Sequence, residues 1–404
     1  MKINNLAKPF PAFQERNYHL HFWGQFVSFI GFWLQLTAQS WRVRELTQSN
    51  AKVGFIVGLP ILIAAIVAPF GGVIADRKDK RKVLYCIQAV SATLCFSLAA
   101  MFFCHCESVA RMIVVNILLG ISLGIDNPTR NSLIPDLIKK ENIVSGIALN
   151  GAMVMSAQAI GPGLAACFLV CLNAGWAFIA SGLAPLAVVL TLPFMRPMRT
   201  NKKLEEHPVK TFFAGMKYTF CSDPLIRLCV IICGFAGMLG FSYRAVLPGI
   251  AKEVYKAGPE IVGWLAFFAG VGSFAGAVFI SWFSKVAHLH VRRLVVIGCT
   301  AAGTGFVVFA ATSQLWLGSA FLFLAGFGFT MTSSAVRSVS QTVAEPQMRG
   351  RVTGLTMAIF FGGIAIGNFA SGLIAESFGC PASMAICGIS FLILAFLIFV
   401  VKRK

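Results

Sequence analysis

Gln25, Ser28, Gln35 and Gln39 recur at spacings of 3, 7 and 4 in an otherwise apolar stretch that ends at Trp41. On a helix those spacings put all four on one face. Polar side chains in apolar surroundings are costly unless they line a cavity or bond a neighbouring helix. The stripe is read as cavity lining, with helix-to-helix bonding as the other reading. Asn150, Gln158, Gln341 and Asn368 are weaker cavity candidates of the same kind. Arg244, in Phe241-Ser-Tyr-Arg-Ala-Val-Leu-Pro248, carries a planar fork suited to an anionic ligand. The other reading is a side chain reaching out to the membrane interface. Asp126 and Arg130 stand four apart, so they share a helix face and can pair. The pair is read as structural, with Asp126 as a protonation site the alternative.

Two runs carry a backbone argument. In Gly72-Val-Ile-Ala-Asp76-Arg77-Lys-Asp79-Lys80-Arg81-Lys82-Val-Leu84 a small residue allows close helix approach. Its acid, at a membrane edge, calls for a cationic partner or a helix N-terminus. In Ala157-Gln-Ala-Ile-Gly161-Pro162-Gly163-Leu-Ala165-Ala166 the Gly-Pro pair removes a backbone donor and permits a kink or a tight packing seam. Other chemistry is not encoded. No phosphate-binding G-x-x-x-x-G-K-[ST] loop and no nucleophile–base constellation is present, so an enzyme is not expected. His19/His21, His288/His290 and Cys104-His105-Cys106 lack acidic partners, and alternate helix positions do not share a face. No metal and no cofactor are expected. The twelve cysteines sit mostly in apolar runs, as small hydrophobes do.

The elements that must position these residues follow from composition. Of 404 residues 57% are hydrophobic and 12% charged, with mean hydropathy +0.78. A soluble domain has roughly 45–50% apolar and about 25% charged residues. The excess must face lipid. A bilayer core about 30 Å thick needs roughly 20 apolar residues per helix. Twelve such segments are expected, near 18–43, 53–75, 83–104, 110–134, 143–169, 174–194, 223–248, 260–283, 292–312, 316–338, 352–375 and 381–401. The polar stretch 195–222 divides them into bundles at 1–194 and 223–404. With the N-terminus inside, 27 of the 34 Lys and Arg fall on one side, the bias cytoplasmic loops show. That pattern accounts for the +19 charge without nucleic acid. No cleavable signal is expected, since the first apolar run is too long. The halves repeat at an offset near 208, matching Val53-Gly54 with Val262-Gly263, Val144-Ser145-Gly146 with Val352-Thr353-Gly354, and Gly120 with Gly328. The expected fold is an all-α polytopic membrane protein, twelve transmembrane helices in two pseudo-symmetric six-helix bundles. Parallel repeats of this kind place a site near the bilayer midplane.

The Gly72–Leu84 run resembles the G-x-x-x-D-R-x-G-R-R-x-x-L loop of the major facilitator superfamily, with Asp79 where many members have Gly. The Gly161-Pro162 run is similar to the G-x-x-x-G-P-x-x-G-G pattern of superfamily exporters, with Ala at three Gly positions. The opening Asn17-Tyr-His-Leu-His-Phe-Trp-Gly-Gln25-Phe-Val-Ser28-Phe-Ile-Gly31, the run Asp126-Asn-Pro128-Thr-Arg130 and the pair Gln341 and Arg349-Gly-Arg351-Val resemble the bacterial branch of enterobactin, siderophore and drug exporters. The resemblance implies a secondary transporter of the inner membrane, both termini cytoplasmic, a monomer in the lipid bilayer. It implies proton-driven export of a small organic molecule by alternating access. The Gly72, Asp76, Arg77, Lys80, Arg81 loop would act as a gate: Asp76 capping the start of span 11, the basic residues pairing with Asp126. Proton-coupled members often carry Arg where Asn116 stands, so coupling through that arginine is not expected. Import of a siderophore or nutrient, multidrug efflux, and a non-transporting receptor are the alternatives.

Overall fold

The computed structural model describes residues 11–195, 216–221, 223–282, 287–345 and 348–400. Among these there is no strand. Spans 1 to 6 are Arg16–Thr47, Asn50–Arg77, Lys80–Phe103, Val109–Leu137, Ile143–Cys171 and Ala174–Thr191. Span 7 is broken into Pro224–Gly240 and Tyr243–Glu253. Spans 8 to 12 are Pro259–Trp282, Ala287–Ala311, Leu315–Val343, Arg349–Phe378 and Cys380–Val400. Eleven helical segments are long and apolar enough to cross a membrane. Span 1 is the twelfth. Its 32 residues exceed what a bilayer needs, but His21, Gln25, Gln35, Gln39 and Arg44 lower its hydropathy.

Side-chain caps fix several of the turns between spans. Ser49 accepts from the Lys52 N–H, Ser108 from Arg111 and Asn173 from Trp176, each satisfying an orphan donor of the helix it starts. Asp79 does the same at span 3, accepting from the Arg81 N–H. An acid at that position therefore starts a helix, where a glycine would serve only the turn. Large apolar side chains such as Ile66, Val114, Leu183, Leu190, Leu373 and Phe396 point outward, as expected where lipid is the solvent.

The helices form two groups. In the first half span 2 packs on 4, span 1 on 5 and 6, and span 3 on 6. In the second, span 10 packs on 8 and 9, span 9 on 12, and span 7 on 11 and 10. The halves meet through spans 2 and 11 and spans 5 and 8. Glycine makes both seams possible. A Cβ at Gly54 would strike the Asn368 carbonyl oxygen and lie 3.0 Å from the Gly372 Cα. A Cβ at Gly263 would strike the Ala166 side chain and lie 2.9 Å from the Pro162 carbonyl oxygen. These two glycines are the matched pair of the repeat, and each sits on the partner half. The Gly120 match is out by two. Gly120 packs against Pro60 and Ile63, and the span 10 residue against the equivalent Ala269 is Gly326, not Gly328.

Candidate functional site

One end of the molecule carries the Arg77–Lys82 loop and is called the basic end; the other is the sparse end. The bonds that join the halves gather at the sparse end. Arg44 donates to the Glu253 Oε1 at 2.6 Å, and the Asn50 amide donates to the same oxygen at 3.3 Å. Glu376, at the close of span 11, accepts from the backbone N–H of Asn50 at 2.6 Å and of Ala51 at 3.4 Å. A carboxylate on the first N–H groups of span 2 also faces the positive end of that helix dipole. The molecule is thus closed at its sparse end.

Arg244 lies just beneath that closure. It begins the second helix of span 7, after the break at Phe241–Ser242, and is 7% exposed. Its guanidinium carbon stands 4.2 Å from the Trp33 ring centroid, 5.3 Å from Tyr243 and 5.6 Å from Phe241. Its Nε and Nη2 are buried without a hydrogen-bond partner. The reading in which it reaches out to the interface is therefore excluded. Beside it is a cavity of about 20 Å³, lined by Leu36, Thr37, Ser40 and Val57 of the first half and Leu247 and Val262 of the second. That is room for one or two waters. An aromatic-boxed cation with unused donors, where the two halves meet, has the chemistry to take an anion.

The polar stripe of span 1 does not face this place. Ser28 donates to the Gln88 Oε1 at 2.9 Å, Gln35 donates to Gln39 at 2.6 Å, and Gln25 is buried with both amide atoms unpartnered. Ser28 and Gln35 line a second cavity, about 60 Å³, enclosed by spans 1, 3, 4 and 6 within the first half. Two of the four stripe residues thus line a cavity inside a bundle, and Gln25 and Gln39 line neither cavity. Span 1 reaches the second half through Trp33, Leu36, Thr37, Ser40, Trp41 and Arg44, none of them a member of the Gln/Ser stripe.

The gate loop is also redistributed. Lys80 pairs with Asp136 at 2.6 Å and donates to the Ser132 carbonyl at 2.8 Å; Arg81 donates to the Met195 carbonyl at 2.9 Å. The acid expected to receive this loop was Asp126. It lies ten residues deeper in span 4 and is taken by Arg130 at 3.2 Å and Gln88 at 2.8 Å. Asp136, nearer the end of the helix, is the one a side chain starting span 3 can reach. Asp76 is half-buried in the last turn of span 2 and Arg77 is exposed. Lys285, the position matched to Asp76, lies outside the described residues, as do the side chains of His288 and His290.

Span 5 continues through Gly161-Pro162 as one helix. A Cβ at Gly161 would lie 2.5 Å from the Trp33 Cβ, so the run is the seam that seats span 5 between spans 1 and 8. Gln341 is exposed near the basic end of span 10, apart from both cavities. Asn150 donates to Asn131 at 3.4 Å and Asn368 to its own helix at 2.7 Å. Among the described residues no group of His, Cys, Asp and Glu could hold a metal.

Two helical bundles joined on close seams, with buried polar groups between and within them, define a secondary transporter. The chain belongs to the major facilitator superfamily: residues 7–404 match the family described as "Transmembrane secretion effector". Among curated proteins it is 21% identical over 398 residues to the staphyloferrin A transporter of Staphylococcus aureus, covering 95% of this chain and 96% of that one. It is 24% identical over 401 residues to the enterobactin exporter EntS of Shigella boydii, covering 98% and 93%. Among solved structures it is similar to a bacterial homologue of the lysosomal transporter Spinster, inward-facing and unoccupied, with TM-score 0.77, 14% identity and 97% of each chain covered. It is also similar to the nucleoside transporter NupG, with TM-score 0.77, 15% identity, and 96% and 100% covered. At these identities the solved structures establish the fold alone.

Proposed function

We propose that this transporter exports a small anionic metal chelator of the siderophore class across a bacterial inner membrane. The observation that carries the reading is Arg244, a buried guanidinium with two unused donors stacked on Trp33 where the halves meet. A carboxylate or catecholate oxygen would give those donors the acceptors they lack. The direction rests on similarity to the enterobactin exporter over nearly the whole chain. With the basic end in the cytoplasm, the closure described here is closure on the outside. Rocking of the halves would then open the sparse end. In that state Asp76 would cap the start of span 11, as Glu376 caps the start of span 2 here.

The test is the direction of flux. In a gene-deletion strain, metal-free chelator is measured in medium and cytoplasm. Loss from the medium with retention inside is the expected result. A strain that still secretes chelator but no longer takes it up would make the protein an importer.

A further inference from the structure

The second cavity, inside the first half, has no part in binding substrate between the halves, yet it is built around a carboxylate. Asp126 lines it together with Ser28, Gln35, Gln88, Ser122 and Arg130. Both contacts to Asp126 are donors: Gln88 Nε2 to one oxygen at 2.8 Å and Arg130 Nη1 to the other at 3.2 Å. Gln88 in turn accepts from Ser28.

Arg130 does not depend on Asp126. It donates to the Asn127 side chain at 2.6 Å, and its guanidinium carbon lies 4.0 Å above the Phe29 ring. Neutralising one partner of a buried ion pair normally strands the other at a cost of several kcal/mol. Here the cation keeps an amide oxygen and an aromatic face if Asp126 takes a proton. The cavity volume of about 60 Å³ holds a few waters.

A path toward the basic end is marked as well. Counting back from Phe29 by one and two turns, the same face of span 1 carries Gln25 and His21. Both are buried, and both ring nitrogens of His21 and both amide atoms of Gln25 lack partners. Four unpaired polar atoms in one stripe are rare in a folded interior unless water or a mobile proton serves them. Within the cavity wall Arg130 is the other charged group and Cys95 the other titratable one; spans 3 and 6 otherwise present Gln88, Ser91, Ser181 and Pro185.

We propose that Asp126 is the proton-exchanging group of the transport cycle, apart from the substrate site, with His21 and Gln25 on its route to the basic end. A hydronium gives its proton to an Asp126 oxygen, an O–H bond forms, and water is left in the cavity. In the conformation closed at the sparse end the proton leaves again and Arg130 re-pairs. The proposal rests on the transporter reading but not on the identity of the substrate.

Two measurements on the full-length protein in lipid test it. In an infrared pH titration, the wild type gains a buried carboxylic C=O band on acidification that Asp126→Asn lacks, and Arg130→Gln changes the pH at which it appears. An unchanged band in Asp126→Asn overturns the assignment. In proteoliposomes, metal-free enterobactin and staphyloferrin A are the probes. Asp126→Asn is expected to lose acceleration by an imposed pH gradient while keeping exchange of labelled for unlabelled probe. Full acceleration in the variant overturns the proposal. Loss of exchange alongside acceleration, with normal folding, would make the residue structural and overturn it too. If neither probe moves with the wild type, the substrate reading fails and the infrared titration still decides Asp126.

Discussion

Replacing Glu253 with Gln should open the sparse end. Glu253 is the acceptor that holds span 7 to span 1 through Arg44 and to span 2 through Asn50. The Arg44 side chain is 8% exposed and the carboxylate 36%. Breaking a fully buried ion pair costs roughly 3–5 kcal/mol and an exposed one about 0–1. One partner here is a third open to water, so an intermediate cost of about 1–2 kcal/mol is expected. The Arg44 Nε and Nη1, already without partners, gain no substitute. A destabilisation of that size changes the ratio of closed to open molecules by about 5- to 30-fold. Hydrogen exchange in nanodiscs reads it directly. Backbone amides at the start of span 2 and the ends of spans 7 and 11 should exchange faster in Glu253→Gln, while those inside span 4 keep their rate. The paired variant Arg44→Met with Glu253→Leu removes both charges and should return most of the protection. Unchanged exchange in Glu253→Gln would refute the assignment of this pair as a closure.

Arg244→Lys keeps the charge but loses the flat fork that lies on Trp33; a loss of about 1–2 kcal/mol, roughly tenfold in KM for an anionic chelator, is expected. An unchanged KM in proteoliposomes would remove Arg244 from the substrate site. Gly54→Leu drives a side chain into the Asn368 carbonyl and the Gly372 backbone, so the sparse end cannot close; exchange there should rise and net transport should stop while the thermal melt in detergent survives. Wild-type transport by that variant would show that this seam parts without consequence.

Fold class and span count were legible because lipid imposes a composition and a length on every helix. The asymmetry of loop charge was equally legible. The site was not, for reasons that can be named. The stripe Gln25, Ser28, Gln35, Gln39 announces a polar face, but spacing alone does not say whether that face meets a neighbour in its own bundle or the other half. Trp33, Thr37 and Ser40 carry no such pattern, and only the placement of span 7 makes them part of the interface. Glu253 and Glu376 stand at helix ends, and an acid there, even one read as membrane-embedded like Glu376, does not announce its partner. Their partners are 209 and 326 residues away. Asp136 was passed over for the same reason, since a helix end frays beyond the apolar run that defines a span. The break in span 7 left only a weak signal: Gly240 ends the first helix, but it is one of 38 glycines, and Phe241-Ser242 itself contains neither Gly nor Pro.

The seams at Gly54 and Gly263 have a mechanical meaning. There the two halves approach closely, on backbone at Gly54 and on the Ala166 methyl at Gly263, with the Phe55 and Phe369 rings stacked beside the first. A joint made largely of small residues rolls with few rotamers having to turn, much as a bearing turns without teeth. Friction along the membrane depth is therefore small, and resistance to motion is concentrated at the extremities, in a handful of bonds such as those of Arg44 and Glu376. These stand at the ends of spans 1, 2, 7 and 11, where helices long enough to cross a bilayer meet its headgroup layer. The rate of rocking should accordingly respond to the charge and lateral pressure of the headgroup layer more than to the thickness or fluidity of the hydrocarbon.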